Sequence, residues 1–463
     1  MRCFFVPPAG RIRRKSGIMK GKKEACVMNA EQLIEKKRDG GVLSEEAIRW
    51  LIAEYTAGRV PDYQMAAWCM AVYFRGLSAR ETAALTRAMA ESGPRADLSA
   101  IPGIKVDKHS TGGVGDTVTL LTAPIAAAAG VPVAKLSGRS LGFTGGTADK
   151  LSAIPGYRTE LSTADFIRQV RDCGIAMASQ SEDLCPADAR LYALRDATGT
   201  VESLPLIASS VMSKKIASGA DAVVLDVKCG RGAFMKQRSR AEALMEEMLS
   251  LGQAAGIRVI AYVTDMNIPL GSAIGNSVEV DEAVEALSGG GSRRLVSLSE
   301  TIAGAMICAG GKAETPAEGR RIAEEMIASG RALDKLRACI EAQHGDASWI
   351  GKKPLTPQEG ALDVYARADG YIEDIRPVEL ARLVMDMGGG QARKEDAIDL
   401  FVGVRLWKEA GDPVRAGEKL LTLYGRDTLP MEQLAARAEA AVEIGPEKNV
   451  FPLVYRMADS WDA

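Results

Sequence analysis

Residues 107–119 read DKHSTGGVGDTVT, which gathers Lys108, His109, Ser110, Thr117 and Thr119 around Gly112, Gly113 and Gly115 in one short stretch. A lysine supplies positive charge, hydroxyls supply directional donors, and glycines let backbone N–H groups come close to a bound group. That is anion-binding chemistry beside a side chain able to carry a proton near neutral pH. The chain has 2 histidines, His109 and His344, so finding one of them inside this loop is informative. Residues 104–106 read as the end of a buried strand and residues 117–129 as a helix, which puts the loop at a helix N-terminus whose dipole favours negative charge. A second stretch, PVAKLSGRSLGFTGGTADKLSAIPG at 132–156, repeats the composition with Lys135, Ser137, Arg139, Thr144 and Thr147 set between glycines. Two such loops can clamp one oxyanion from two sides. A single phosphate site with Lys135 among its ligands is the economical reading.

The elements that must position these loops follow from the punctuation of the chain. Helices are expected at 45–57 after Ser44, at 63–74 after Asp62, and at 79–91 opened by a Ser78…Glu81 capping box and closed by Gly93. After Pro94 short apolar strands at 104–106, 132–136, 176–178, 222–226 and 259–264 alternate with helical stretches, the pattern of a parallel α/β domain. Residues 189–220 are helical again. From about Gly360 the texture changes to short strands and turns, and GDPVRAGEKLLTLY at 411–424 resembles the hammerhead turn of a lipoyl-like β-sandwich. No lysine with a flanking methionine stands at its tip, so its role is structural.

Composition sets the outer limits. With 463 residues, 47% hydrophobic and 5% aromatic, the chain can bury a large core and divide into two or three domains. A net charge of -2 argues against a surface attracted as a whole to nucleic acid or membrane, so an anion site must be local. The 8 cysteines are scattered without a CxxC pair, which suits small core residues in a reducing cytoplasm. The longest apolar stretch, 120–133, is interrupted by Pro124 and too short to span a bilayer. Residues 1–27 are basic without the apolar segment of a signal peptide, and are expected to be a mis-started or disordered extension without functional weight.

The two glycine-rich loops do not stand alone. With DGGVLSEEAIRWLIAEYTAGRVPDYQMAAWCMAVYFRGLS at 39–78 and LYALRDATGTVESLPLIASSVMSKKIASGADAVVLDVKCGRGAFM at 191–235, they closely resemble the thymidine and pyrimidine-nucleoside phosphorylases from about Met28 to the C-terminus. The resemblance implies an α/β fold with three parts. These are a discontinuous helical domain at 28–93 with 189–220, a large parallel-sheet α/β domain at 94–188 and 221–359, and a C-terminal α+β lipoyl-like subdomain at 360–463. It also implies phosphorolysis of uridine, deoxyuridine and thymidine to base and (deoxy)ribose 1-phosphate, with inversion because phosphate attacks C1 directly. Lys108, Ser110, Thr119, Ser137 and Thr147 carry over as phosphate ligands. His109 carries over as the partner of the pyrimidine 2-oxo group, and Arg195, Ser210 and Lys214 as base contacts, so that His109, Lys108, Arg195 and Lys214 form the catalytic set. Gly115, Thr117, Leu270, Ala273 and Glu282 match positions that hold a potassium ion; no organic cofactor is implied. A homodimer through the N-terminal helices and a closing motion with hinges near Pro94, Asp188 and Gly219 are implied too.

Lys135 stands where relatives accepting both uridine and thymidine carry lysine in VAKxSGR, which points to broad specificity. The departures from the family pattern are Ser140, Phe143 and Ser152 around the second loop, Ala197 and Gly199 near Arg195, and Cys229 and Arg231 in the DVKCGRGAFM loop. Arg231 is expected to add a cation at the cleft and admit a bulkier or more anionic substrate. Two other readings compete: a glycosyltransferase like anthranilate phosphoribosyltransferase, and a catalytically weak binding paralogue. The KHS and SxxSK residues and the absence of an acidic magnesium pair argue against the first, and intact Lys108, His109, Arg195 and Lys214 argue against the second.

Overall fold

The computed structural model describes residues 28–138, 145–179, 183–391, 397–426 and 428–461. The basic extension 1–27, Arg139, Ser140, Phe143 and Thr144 lie outside the described residues.

The chain opens with four helices, α1 (Ala30–Arg38), α2 (Glu45–Thr56), α3 (Asp62–Arg75) and α4 (Ala79–Ala90). Ser44 accepts the Ala47 N–H to start α2, and Ser78 and Glu81 form a full capping box on α4. Glu81 does more than cap, because its carboxylate also accepts the Leu43 N–H at 2.9 Å and pairs with buried Lys37 at 2.7 Å. Helix α3 includes Asp62 and takes Pro61 as its cap, one residue earlier than the sequence suggested. Ile48, Leu51, Trp68 and Leu85 close a core that also takes in Ala187, Leu191 and Leu206 from α8 (Pro186–Thr198) and α9 (Leu204–Ala217), far along the chain.

Between them lie β1 (Val106–Ser110), α5 (Val118–Ala128), β2 (Val133–Ser137), α6 (Thr147–Ser152), α7 (Thr163–Cys173) and β3 (Ile175–Ser179). After α9 come β4 (Ala222–Cys229), α10 (Arg238–Ala255), β5 (Arg258–Asp265), β6 (Ala273–Ile274), α11 (Asn276–Leu287), α12 (Arg293–Ala309), α13 (Pro316–Ala328) and α14 (Arg331–Ala342). Strands β1, β4 and β5 pair in parallel, and β2 pairs in parallel with β3. The central sheet is covered on both faces, as parallel sheets require. Val223, Leu225, Val227, Val259 and Ala261 pack against α9 and α10, while Ala222, Val224, Ile260 and Tyr262 pack with α5 and α12.

The C-terminal part holds β7 (Ala361–Tyr365), β8 (Gly370–Ile375), α15 (Pro377–Val384), a π-helical turn (Met385–Gly389), β9 (Gly403–Leu406), β10 (Pro413–Val414), β11 (Lys419–Tyr424), α16 (Met431–Ala440), β12 (Val442–Gly445) and β13 (Val454–Asp459). It is built from two small antiparallel sheets, and it trades strands with its neighbour. β6 joins the C-terminal sheet by pairing Ala273 with Arg405, and β13 leaves to lie antiparallel on β5 as the fourth strand of the central sheet. Neither pairing follows from local pattern.

Candidate active site

Strand β1 carries the chemistry on both of its faces. Side chains alternate along a strand, so Lys108 and Ser110 fall on the α5 face while Asp107 and His109 fall on the α9 face. The register agrees, with Lys108 opposite Val224 and His109 opposite Leu225 of β4, whose side chains belong to the two different cores. The loop that follows turns at Gly112, whose φ of 85° lies in the left-handed region, and a Cβ on Gly113 would collide with the Met266 side chain.

On the α5 face lies a buried set of charges. Lys108 is 1% exposed; its Nζ donates to Thr119 Oγ1 at 3.4 Å and stands 3.8 Å from the nearest Asp226 carboxylate oxygen. Lys228 takes the closer place on Asp226 at 2.7 Å, and Lys150 pairs with Glu279 at 2.5 Å while donating to the Asp116 carbonyl. Burial lowers the Lys108 pKa, Asp116 and Asp226 oppose that, and Lys228 and Lys150 add to it. Lys108 is therefore the lysine least tied to a carboxylate. Ser137 Oγ, buried at the end of β2, has no hydrogen-bond partner among the described residues. An oxyanion would satisfy both groups. Thr147 is the first residue of α6.

Two details differ from the sequence reading. The N-terminus of α5 is occupied by the chain's own Asp116, whose Oδ1 accepts the Val118 N–H at 3.4 Å and whose other oxygen holds the Ser110 hydroxyl. Lys135, expected among the phosphate ligands, turns toward Asp107. Its Nζ lies 3.5 Å from Asp107 Oδ1 and donates to the Leu136 carbonyl at 3.1 Å, and burial brings its pKa down to about 7.

On the α9 face, His109 keeps partial exposure at the strand end. Enclosure, followed by the fields of Lys215, Lys135, Lys214 and Lys108, lowers its pKa well below the ordinary imidazole value. The ring is thus neutral at pH 7, a hydrogen-bond donor through one nitrogen. Lys214 Nζ is held by Asp188 at 2.6 Å and by Ser210 Oγ at 2.9 Å, so two of the three expected base contacts touch each other. Arg195 is used differently. Its guanidinium donates to the carbonyls of Thr200, Leu206 and Val201 and pins the α8–α9 turn. Gly199, one of the departures, is the left-handed cap of α8 with φ 65°.

Arg231 is not a free cation. It makes a bidentate pair with Asp374 of β8 at 2.8 and 2.5 Å, and so ties the loop after β4 to the C-terminal part. Ser152 is satisfied by the Ala148 carbonyl at 2.9 Å. Cys229 is buried.

The expected cation ligands converge. The Gly115 carbonyl accepts the Gly271 N–H at 3.0 Å, and a Cβ on Gly115 would lie 3.1 Å from the Ala273 carbonyl oxygen. Glu282 is fully buried, not a surface residue; its Oε1 accepts the Ser272 N–H and Oγ, both at 2.6 Å, and burial, opposed by Arg405, raises its pKa to about 7. A buried carboxylate beside main-chain oxygens has the chemistry of a hard-cation site. Among the described residues no cluster of three His, Cys, Asp or Glu side chains could hold a metal ion. Thr117 gives its hydroxyl to Glu279 at 3.0 Å and its N–H to the Gly115 carbonyl at 3.1 Å. Nearby, a cavity of about 30 Å³ lined by Gly115, Asn276 and Glu279 reaches Met385 and Gly389 of the C-terminal part.

Lys150, Lys228, Asp226, Asp107 and Lys215 were not anticipated, and Asp188 only as a hinge position. One signal was available, since Asp226 and Lys228 interrupt the otherwise apolar run AVVLDVKC with charges that a buried strand must pair.

Known proteins match the chain over most of its length. The Glycosyl transferase family helical bundle domain matches residues 31–93, the a/b domain of the same family matches residues 103–333, and the Pyrimidine nucleoside phosphorylase C-terminal domain matches residues 371–445. The chain is 46% identical over 431 residues to the pyrimidine-nucleoside phosphorylase of Staphylococcus haemolyticus, covering 93% of this chain and 99% of that one. It is 49% identical over 398 residues to the protein of the same name from Geobacillus stearothermophilus, covering 86% and 92%. Among solved structures, anthranilate phosphoribosyltransferase from Thermus thermophilus superposes with a TM-score of 0.55 at 24% identity, covering 67% of this chain and 98% of that one; the likeness is one of fold.

Proposed function

The chain belongs to the pyrimidine-nucleoside phosphorylase family and is a pentosyltransferase, and we propose that it converts uridine, deoxyuridine and thymidine reversibly, with inorganic phosphate, to the free base and a (deoxy)ribose 1-phosphate. The observation that carries this reading is the division of labour on β1. An under-partnered lysine and an orphan Ser137 hydroxyl stand on one side, and a neutral histidine beside Lys214 stands on the other.

Phosphate binds to Lys108, Ser110, Thr119, Ser137 and Thr147 and attacks the anomeric carbon from below, giving inversion. Ser110 reaches it by turning its hydroxyl away from Asp116. Each such contact is worth a few kcal/mol at most. The departing pyrimidine gathers negative charge on its 2-oxo group, where the N–H of neutral His109 donates a hydrogen bond. Lys214, aimed by Asp188, and Ser210 take the far side of the ring, and Arg195 fixes the turn that carries them. A potassium ion held by Gly115, Thr117, Leu270, Ala273 and Glu282 would supply fixed positive charge that braces the glycine loop.

Closure brings the helical part down onto the end of β1. The crossings between the helical and α/β parts run side by side. Ala96 N–H donates to the Ala217 carbonyl at 2.9 Å, and a Cβ on Gly93 would collide with the Asp183 carbonyl oxygen. These crossings support hinges near Pro94, Asp188 and Gly219. A homodimer is supported by the apolar side chains that α3 exposes, Tyr63, Met70, Tyr73 and Phe74. A cytoplasmic enzyme suits these substrates; among the described residues no helix is long and apolar enough to cross a membrane.

The test is the product. Phosphorus NMR of a reaction with uridine and phosphate is expected to show the α-anomer of ribose 1-phosphate. The β-anomer would overturn direct attack, and free ribose would overturn phosphorolysis altogether.

A further inference from the structure

Asp107 has no part in the binding scheme above, yet it is fully buried and joins three elements of the site. Its Oδ2 accepts Lys215 of α9 at 2.7 Å, its Oδ1 lies 3.5 Å from Lys135 of β2, and the Lys108 N–H donates to the same Oδ1 at 2.7 Å. Lys215 and Lys135 are each 4% exposed. On α9, Lys215 follows Lys214, which faces the base; on β1, Asp107 precedes Lys108 and lies two residues before His109.

We propose that Asp107 is a positioning residue for the phosphorolysis, fastening the base-binding end of α9 to the phosphate-binding strand through Lys215. The inference rests on the phosphorylase reading of the site. A buried ion pair is a poor way to gain stability, because apolar residues of the same volume serve as well or better. What it does provide is a fixed distance and direction, here between Lys214 on one side and Lys108 and His109 on the other. Reacting groups misplaced by about 1 Å lose about 100-fold in rate. Lys135 completes the cluster by holding Asp107 from β2, so that the second glycine-rich loop starts from the same anchor.

The experiment compares the parent chain with Asp107→Asn, Lys215→Met, Lys215→Arg and the Asp107→Asn/Lys215→Met double variant, measuring kcat and the KM for phosphate and for uridine. Folding is checked by circular dichroism. The inference expects Asp107→Asn and Lys215→Met each to lower kcat about 100-fold, with the phosphate KM changed less than about threefold. Lys215→Arg should recover most of the lost rate, and the double variant should be no worse than Asp107→Asn alone, since that change already removes the Lys215 contact. Folded single variants with parental kcat would overturn it, as would a double variant whose loss is the product of the two singles. Should Asp107→Asn fail to fold, the Met and Arg forms of Lys215 decide by the same kcat criterion. A parent chain that releases no base with phosphate would instead overturn the phosphorylase reading, and this inference with it.

Discussion

His109 is conspicuous in the sequence because histidine is so scarce, and its neighbours determine what it can do. Four lysines and enclosure keep it neutral, which makes it a donor of a hydrogen bond and a poor source of a full proton at pH 7. The rate kcat/KM for uridine between pH 5.5 and 7.5 is therefore expected to show no acid limb near the ordinary imidazole value of about 6.5; a limb there that disappears in His109→Gln would contradict this. Stability carries the same sign. Between the lowered folded pKa and about 6.5 the unfolded chain binds the additional proton, so stability rises with pH across that window. Lys108→Met is expected to lower kcat/KM by about 100-fold to 1,000-fold, through loss of the phosphate contact, read from initial rates at subsaturating phosphate. Lys108 and His109 could be read from one short stretch because they are adjacent in sequence, although the strand runs on through them to Ser110 where 104–106 was expected to end it. Asp107–Lys215 and Lys228–Asp116 could not, since each ion pair joins positions about a hundred residues apart and nothing local announces the partner. Arg195 and Arg231 show the opposite limit, for resemblance in the one and charge in the other suggested substrate contacts while their partners here are main-chain carbonyls and Asp374.

At the scale of elements, caps and glycines were legible and pairings were not. The Ser78–Glu81 box and the alternation of strands and helices follow from side-chain chemistry within a few residues. The return of β13 to β5 and the two-residue β6 on β9 depend on where the whole chain has already folded. Gly219 sits where α9 gives way to β4, with φ 76°, and a Cβ there would stand 2.5 Å from the Ala96 carbonyl oxygen. Gly219→Ala is expected to destabilise by about 1–3 kcal/mol, from backbone strain and from pushing apart two crossings. Urea unfolding with a midpoint equal to the parent's would show that this crossing has slack.

Across the whole molecule, the exchange of β6 and β13 binds the C-terminal part to the α/β part, so Leu270 and Ala273, the proposed cation ligands, stand next to or in a strand pairing rather than in a free loop. Potassium chloride in place of choline chloride is expected to raise the melting temperature of the parent chain and to leave that of Glu282→Gln unchanged; equal gains in both would remove Glu282 from the site. On the helical part, Tyr63 and Phe74 are 76% and 75% exposed, and Tyr63→Asp/Phe74→Asp is expected to shift the chain from dimer to monomer in sedimentation velocity. The division into helical, α/β and C-terminal parts was legible because composition and punctuation change along the chain; the strand exchange that joins the last two was not. The most direct measurement is release of free base, followed by chromatography, from uridine, deoxyuridine and thymidine with and without phosphate. Phosphate-dependent release of uracil and thymine is the expected result, and release that is absent or indifferent to phosphate would contradict the account.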